Sequence, residues 1–367
     1  MNEFANRLID LAIEIQQIPA PTFEEARRAR FVRKLFIQEK LQQVSIDKTG
    51  NVYGLLPKAQ EQTSNAKPLI VSAHLDTVFP ADTDLRLTRQ SDRVYGPGLG
   101  DNSFGVAALF GLIWMLRERN IELGGDVWFV ANVCEEGLGD LQGMKAVVNR
   151  FGAGVRGYLV IEGLALGHIY HRAVGVKRYR VTAHTTGGHS WSDYGKPSAI
   201  HELSKLVVKL ASLELPDQPR TTMNVGKIAG GTSVNVIASE AMLDLDLRSE
   251  ERQPLIQLVS AAEKLVQAAN RQGVHIEAQV IGERLAGEMA VNHPLVKLAE
   301  ACLHEQGLEA ALISGSTDAN VPLSMGYPAI VLGVTTGGGA HTMQEYVNTA
   351  PVAQGMEQLL RFVSRVW

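Results

Sequence analysis

The residues best equipped for chemistry are two histidines and five carboxylates that recur at the ends of apolar runs. His74 and Asp76 follow the run Leu69-Ile70-Val71. Two apart on a strand, they point the same way, so an imidazole and a carboxylate leave the sheet together. Asp101 lies in the glycine-rich stretch YGPGLGDNSFG (95–105), and Glu135-Glu136 follow the run Asp126–Val133. Glu162 ends Tyr158–Ile161, and His341 comes shortly after Ala329–Val334. Imidazole nitrogen and carboxylate oxygen are donors that hard and borderline dications accept. A hydrolytic pair of ions needs ligands for each, a bridging group, and a base for the attacking water. The residues present meet that need. Asp101 is the expected bridge, His74 and Glu162 serve one ion, and Glu136 and His341 serve the other. Three carboxylates and one hydroxide then balance the charge of two dications. Glu135, adjacent to a ligand but facing elsewhere, is the expected general base or acid. Asp76 is expected to hold the second nitrogen of His74 and set its tautomer.

Singly, each piece is ordinary: a His-x-Asp pair is often structural, and paired glutamates are usually solvated charge. Their weight comes from position. In open α/β sheets, ligands bind beyond the carboxyl ends of the strands, and four buried-strand patterns each lead to a metal-capable residue. Around them, residues 4–17 carry apolar positions at helical spacing, with a stop near Pro19 and Pro21. Thr22-Phe23-Glu24-Glu25 reads as a capping box opening a helix to about Glu39. Short strands are expected at Gln43–Ile46 and Val52–Leu56. Asp101, Asn102 and Ser103 offer N-cap chemistry to the run Val106–Leu116. That loop lacks both the Walker lysine and the dinucleotide spacing, which argues against a phosphate cradle. Between Ala173 and Glu283 the pattern changes: Lys177–His184, Ala241–Arg248 and His275–Ile281 read as strands, Ser198–Leu213 and Gln253–Gln272 as amphipathic helices. The expected architecture is a mostly parallel α/β domain in two portions, 1–172 and 284–367, with an α+β unit over 173–283 inserted between them.

Composition narrows the function classes. The 367 residues are 45% apolar and 20% charged, with a net charge of −4 and no basic cluster, which argues against a nucleic-acid partner. Two cysteines supply neither a disulfide framework nor a thiolate zinc site. The N-terminus mixes Glu and Asp into its apolar pattern, unlike a signal peptide, and the apolar runs read as shorter than a membrane span. The expectation is a cytoplasmic protein with no membrane partner. Cys134 as a thiol nucleophile is a rival, weakened by two neighbouring carboxylates that suppress the thiolate.

The segments SAHLDTVFP, GLGDNSFG, CEEGLGDLQG, VIEG, GGHSW, GGTSVNVIASEAMLDLDLR, SGSTDAN and GGGAHTMQEYV, in this order, resemble the di-zinc peptidases of the glutamate carboxypeptidase, tripeptidase and aminoacylase family. The resemblance covers essentially the whole chain. It implies a catalytic domain carrying an inserted ferredoxin-like lid, through which two copies form a homodimer. It gives His74, Asp101, Glu136, Glu162 and His341 as ligands of two divalent ions, most readily zinc, with cobalt or manganese as alternatives. Asp76 and Glu135 come out as catalytic helpers, and a cis peptide is implied at Asp101–Asn102. His189 matches a lid histidine that polarises the scissile carbonyl in the neighbouring subunit. Asn235 and Arg248 match positions that contact a substrate carboxylate, although Arg248 equally suits a salt bridge within the lid. Three departures stand out. Asn102-Ser103-Phe104 lacks a lysine common in relatives, Glu162 replaces the Asp of aminopeptidase-type members, and Asn320 stands where many carry arginine. The implied reaction is cleavage of an amide bond in a small peptide. The alternatives are N-acyl or N-carbamoyl amino acids as substrates, or a metal-binding scaffold without catalysis.

Overall fold

The computed structural model describes residues 3–58 and 66–367, which form two units. The first comprises Met1–Ala173 with Glu288–Trp367, and the second Val174–Gly287.

The first unit is built on a mixed sheet. Its strands run in the order Gln42–Ile46, Val52–Leu56, Val127–Asn132, Leu69–His74, Gly157–Glu162, Ala329–Gly333, His168–Ala173 and Gly287–Glu288, and Ala311–Gly315 also pairs with His168–Ala173. The four central strands, Val127–Asn132 through Ala329–Gly333, are mutually parallel. Antiparallel pairs flank them. Val127–Asn132 and Leu69–His74 are buried at every position. Parallel strands covered on both faces read as continuous apolar runs for this reason. Helix Phe104–Glu118 packs on Leu69–His74 and Gly157–Glu162, and against helices Glu3–Gln16 and Val352–Arg365.

That central helix corrects one expectation. The stretch Leu99–Glu118 is long and apolar enough, by length and composition, to cross a membrane. In the fold 94% of its apolar window is buried, and every residue from Phe104 to Leu116 lies in the core. A helix enclosed by a sheet and other helices is apolar all round for that reason.

Four adjacent parallel strands share one carboxyl edge. His74 is the last residue of its strand and Glu162 the last of its own, while the turn bearing Glu135-Glu136 and the loop leading to His341 both leave from the same edge.

The second unit follows the order strand, helix, strand, strand, helix, strand: Gly175–Thr185, Ala199–Ala211, Thr221–Gly230, Glu240–Ser249, Arg252–Ala269 and Val274–Arg284. Its sheet is antiparallel throughout, with Gly175–Thr185 and Glu240–Ser249 at the centre. The helices bury Leu203, Leu206, Leu210, Leu258 and Val266 in a core with Val181, Leu243 and Leu245. The alternating burial along Glu240–Ser249 reflects a sheet covered on one face only.

Candidate metal centre

Asp101 is the centre of the site. Its peptide bond to Asn102 is cis, and the pair lies in the turn Leu99–Ser103 that runs into helix Phe104–Glu118. One carboxylate oxygen faces His74 Nε2 at 3.1 Å and the other faces His341 Nε2 at 3.1 Å. His74 Nε2 also lies 3.7 Å from Glu162 Oε2, and His341 Nε2 lies 3.2 Å from Glu136 Oε1. Three groups of potential ligands have donor atoms within 4.8 Å of one another: His74–Glu135–Glu136, His74–Asp101–Glu162 and Asp101–Glu136–His341. The last two share Asp101. Of the six residues, His341 is the one exposed to solvent.

Electrostatics fit a cation. Burial pushes Glu162 up to about 7, against the opposing pull of His74. Burial also disfavours a charged His74, yet the carboxylates of Asp101, Asp76 and Glu162 beside it hold it well above the usual imidazole range. His341 is drawn up to about 10 by its bonds to Asp101 and Glu136. Burial works against ionised Asp101, but the two histidines outweigh it and keep the carboxyl below its ordinary value. Carboxylates outnumber imidazoles here, and the nearby buried guanidinium of Arg28 spends its donors on the carbonyls of Gln16, Ile18 and Leu75. Nitrogen and oxygen donors of this kind suit zinc and neighbouring dications.

Asp76 meets His74 through its backbone more closely than through its carboxylate, contrary to expectation. His74 Nδ1 is 3.1 Å from the Asp76 carbonyl oxygen and 3.6 Å from its carboxylate. The carboxylate instead accepts the amide N–H of Glu135 at 3.0 Å, that of Glu136 at 2.9 Å, and the Thr22 hydroxyl at 3.0 Å. Asp76 thus gathers the turn that carries both glutamates. The expectation that Glu135 faces away from its neighbour is corrected: donor atoms of His74, Glu135 and Glu136 all lie within 4.8 Å. Strand alternation ends at Asn132, and Cys134, at φ 58°, turns the chain so that both side chains face inward.

The capping box is also corrected. Helix Ala26–Gln38 receives no side-chain cap from Glu25. Thr22 binds Asp76, and Glu25 Oε1 accepts from the amides of Phe23 and Cys134, so both side chains serve the site. The Cys134 thiol is pushed up to about 12 by burial and by Glu25 and Asp76, which disfavours the thiolate a nucleophile needs.

Sequence reasoning misses Glu345, and it finds Asn102 only as a helix cap, without its bonds to Gly163 and Ile161. Glu345, fully buried, accepts the amides of Gly98, Gly100 and Asp101 at 2.7, 2.6 and 2.8 Å. Burial pushes its carboxyl up to about 7. Asn102 accepts from the amides of Gly105 and Gly163 and donates to Ile161, tying the Asp101 turn to the strand that ends in Glu162. A methyl group on Gly105 would lie 2.0 Å from Asn102 Oδ1 and 2.8 Å from the Ile161 carbonyl oxygen. Gly105→Ala is therefore expected to destabilise the fold by about 1–3 kcal/mol. An unchanged midpoint in urea unfolding would refute that tie.

The remaining expected site residues belong to the second unit. His189 pairs across a short bridge with Val236, and its Nδ1 accepts from the amides of Trp191 and Ser192. Asn235 accepts the Ser190 amide through its carbonyl and the Ser233 hydroxyl through its side chain. Arg248 makes a two-pronged pair with Asp246 at 2.9 Å for each contact, the salt-bridge alternative. In the first unit Asn320 is buried and its side-chain oxygen accepts the Thr317 amide.

Residues 70–365 match the sequence profile of peptidase family M20/M25/M40. The chain belongs to that family. The YqjE protein of Bacillus subtilis is 28% identical over 342 residues, covering 89% of this chain and 90% of that protein. Succinyl-diaminopimelate desuccinylase of Corynebacterium glutamicum is 24% identical over 273 residues, 72% of each chain. Among solved structures, a tripeptidase from Staphylococcus aureus superposes with a TM-score of 0.82 at 22% identity, over 99% of this chain and 98% of that one. The fold is thus shared with that structure along nearly the whole length.

Proposed function

We propose that this M20/M25/M40 member is a two-metal hydrolase that cleaves an amide bond in a small peptide, as a carboxypeptidase- or dipeptidase-like exopeptidase. The observation that carries the reading is the pair of donor groups sharing Asp101, with Glu135 beside them. His74 and Glu162 would hold one ion, His341 and Glu136 the other, and Asp101 both, with zinc the best match to the donors. Once bound, such ions polarise a carbonyl and make water a nucleophile near neutral pH. Glu135 takes the proton of the attacking water and returns it to the departing amine. Asp76 holds the Glu135-Glu136 turn in place through both amides.

The unit Val174–Gly287 is read as a lid and dimerisation domain, and its strand–helix order supports the ferredoxin-like part of that reading. In that role His189 donates to the oxygen that gains charge at the scissile carbonyl, and Asn235 and Arg248 stand as substrate contacts. For Arg248 this requires release from Asp246. A cytoplasmic location belongs to the same proposal, consistent with two unbonded cysteines.

A second reading, a deacylase of N-acyl or N-carbamoyl amino acids, is favoured by the likeness to a desuccinylase. One experiment separates the two. Metal-stripped and zinc-, cobalt- or manganese-loaded protein is incubated with dipeptides, tripeptides, and N-acyl and N-carbamoyl amino acids, and the products are read by mass spectrometry. Metal-dependent peptide cleavage supports the first reading, and cleavage confined to acylated amino acids supports the second. No cleavage by fully loaded protein would favour a scaffold without catalysis.

A further inference from the structure

Glu345 does not point at the donor groups, yet it touches the residue that joins them. It sits on the tight turn that carries His341, closed by the Thr342 amide to Gly339 and the Glu345 amide to Thr342. From there its carboxylate takes the amides of Gly98, Gly100 and Asp101, while its carbonyl oxygen takes the Gly96 amide at 2.8 Å. Asp101 is therefore held at two points by one turn: His341 Nε2 on its side chain at 3.1 Å, and Glu345 on its backbone at 2.8 Å.

We propose that Glu345 is a positioning residue that sets Asp101 as the shared ligand of both ions. The inference rests on the two-metal reading above. A structural role alone does not explain the choice of residue. Three amides need acceptors, and a neutral carbonyl group supplies acceptors without adding a further buried carboxylate to Asp101, Glu136 and Glu162. Like charges in a buried setting are costly, and that cost turns into a benefit only where cations sit among the carboxylates. The same contacts limit where Asp101 can go. Its backbone is fixed on one side by Glu345 and on the other by Asn102, whose side chain bonds Gly105, Gly163 and Ile161. Groups that orient metal ligands from outside are usually worth about 10- to 100-fold in metal affinity.

The test uses the full-length chain, stripped of metal and titrated with zinc by calorimetry. Bound ions are counted by elemental mass spectrometry, and folding is followed by circular dichroism. The wild type is compared with Glu345→Gln and Glu345→Ala. The expected result is two ions on the wild type, and affinity for both lowered about 10- to 100-fold in Glu345→Ala. Glu345→Gln, which keeps one acceptor oxygen, should fall between them. The cobalt absorption spectrum should shift in both variants, since Asp101 is no longer held in one place. Variants that fold and bind two ions with wild-type affinity and spectrum would overturn the inference and leave Glu345 a purely structural residue. If Glu345→Ala fails to fold, the affinity of Glu345→Gln decides. A wild type that binds fewer than two ions would instead overturn the two-metal reading, and this inference with it.

Discussion

Glu135→Gln is expected to lower kcat by about 10²- to 10⁴-fold while two ions stay bound. The carboxamide has the same shape as the carboxylate but cannot take a proton from water at neutral pH. Glu135 lies with Glu136 on the turn gathered by Asp76, so the substitution leaves the amide contacts at 3.0 and 2.9 Å intact. Ligands of both ions come from other side chains, which is why affinity and catalysis should separate. Steady-state kinetics on the substrate identified by the panel, with ion counts on the same sample, provides the check. Turnover within tenfold of wild type at full metal loading would remove Glu135 as the base.

Asp101→Ala is expected to have the other large effect, by a different route. This carboxylate faces both histidines, at 3.1 Å each, and belongs to two donor groups. Its removal takes one ligand from each ion and the link between them. Binding should fall from two ions to at most one, and kcat/KM by roughly 10³-fold or more, since metal assistance is worth several kcal/mol. His74 and His341 should also return toward ordinary imidazole behaviour, because Asp101 is among the groups that raise them. Histidine titration by NMR on metal-stripped protein checks this. A variant that still binds two ions tightly would show that the carboxylate is not shared.

Much of this site is legible in the sequence because it is tied to strand ends. Buried parallel strands announce themselves as apolar runs, and the residues just past each run are fixed to one edge of the sheet. Pattern alone therefore places His74, Glu135, Glu136 and Glu162. Asp101 is legible for a related reason, as a polar residue between a glycine-rich loop and an apolar helix.

The features that escape a sequence reading are set by contacts between distant segments. Glu345 reaches Asp101 across 244 positions, and nothing local marks it as an acceptor for three amides. The Thr22–Glu25 motif has the composition of a helix cap, yet Asp76 and the Cys134 amide, both far along the chain, compete for its side chains and win. Strand alternation sends the two glutamates in opposite directions, a rule that lapses once the strand ends at Asn132. The stretch Leu99–Glu118 reaches span length because the turn Leu99–Ser103, bent at Asp101 and Asn102, leads into helix Phe104–Glu118. Arg248 reads two ways because a guanidinium serves a ligand or a neighbouring aspartate equally well, and here Asp246 lies two residues away on the same strand.

The central claim is that two ions held around Asp101 make this chain an amide hydrolase. It is tested most directly by adding zinc or cobalt stepwise to metal-stripped protein, with bound ions and product formation measured at every point. Saturation is expected at two ions per chain, with hydrolysis rising as the ions bind and lost again on chelation. Hydrolysis that persists in chelated, ion-free protein, or a chain carrying two ions that cleaves no member of the panel, would contradict it.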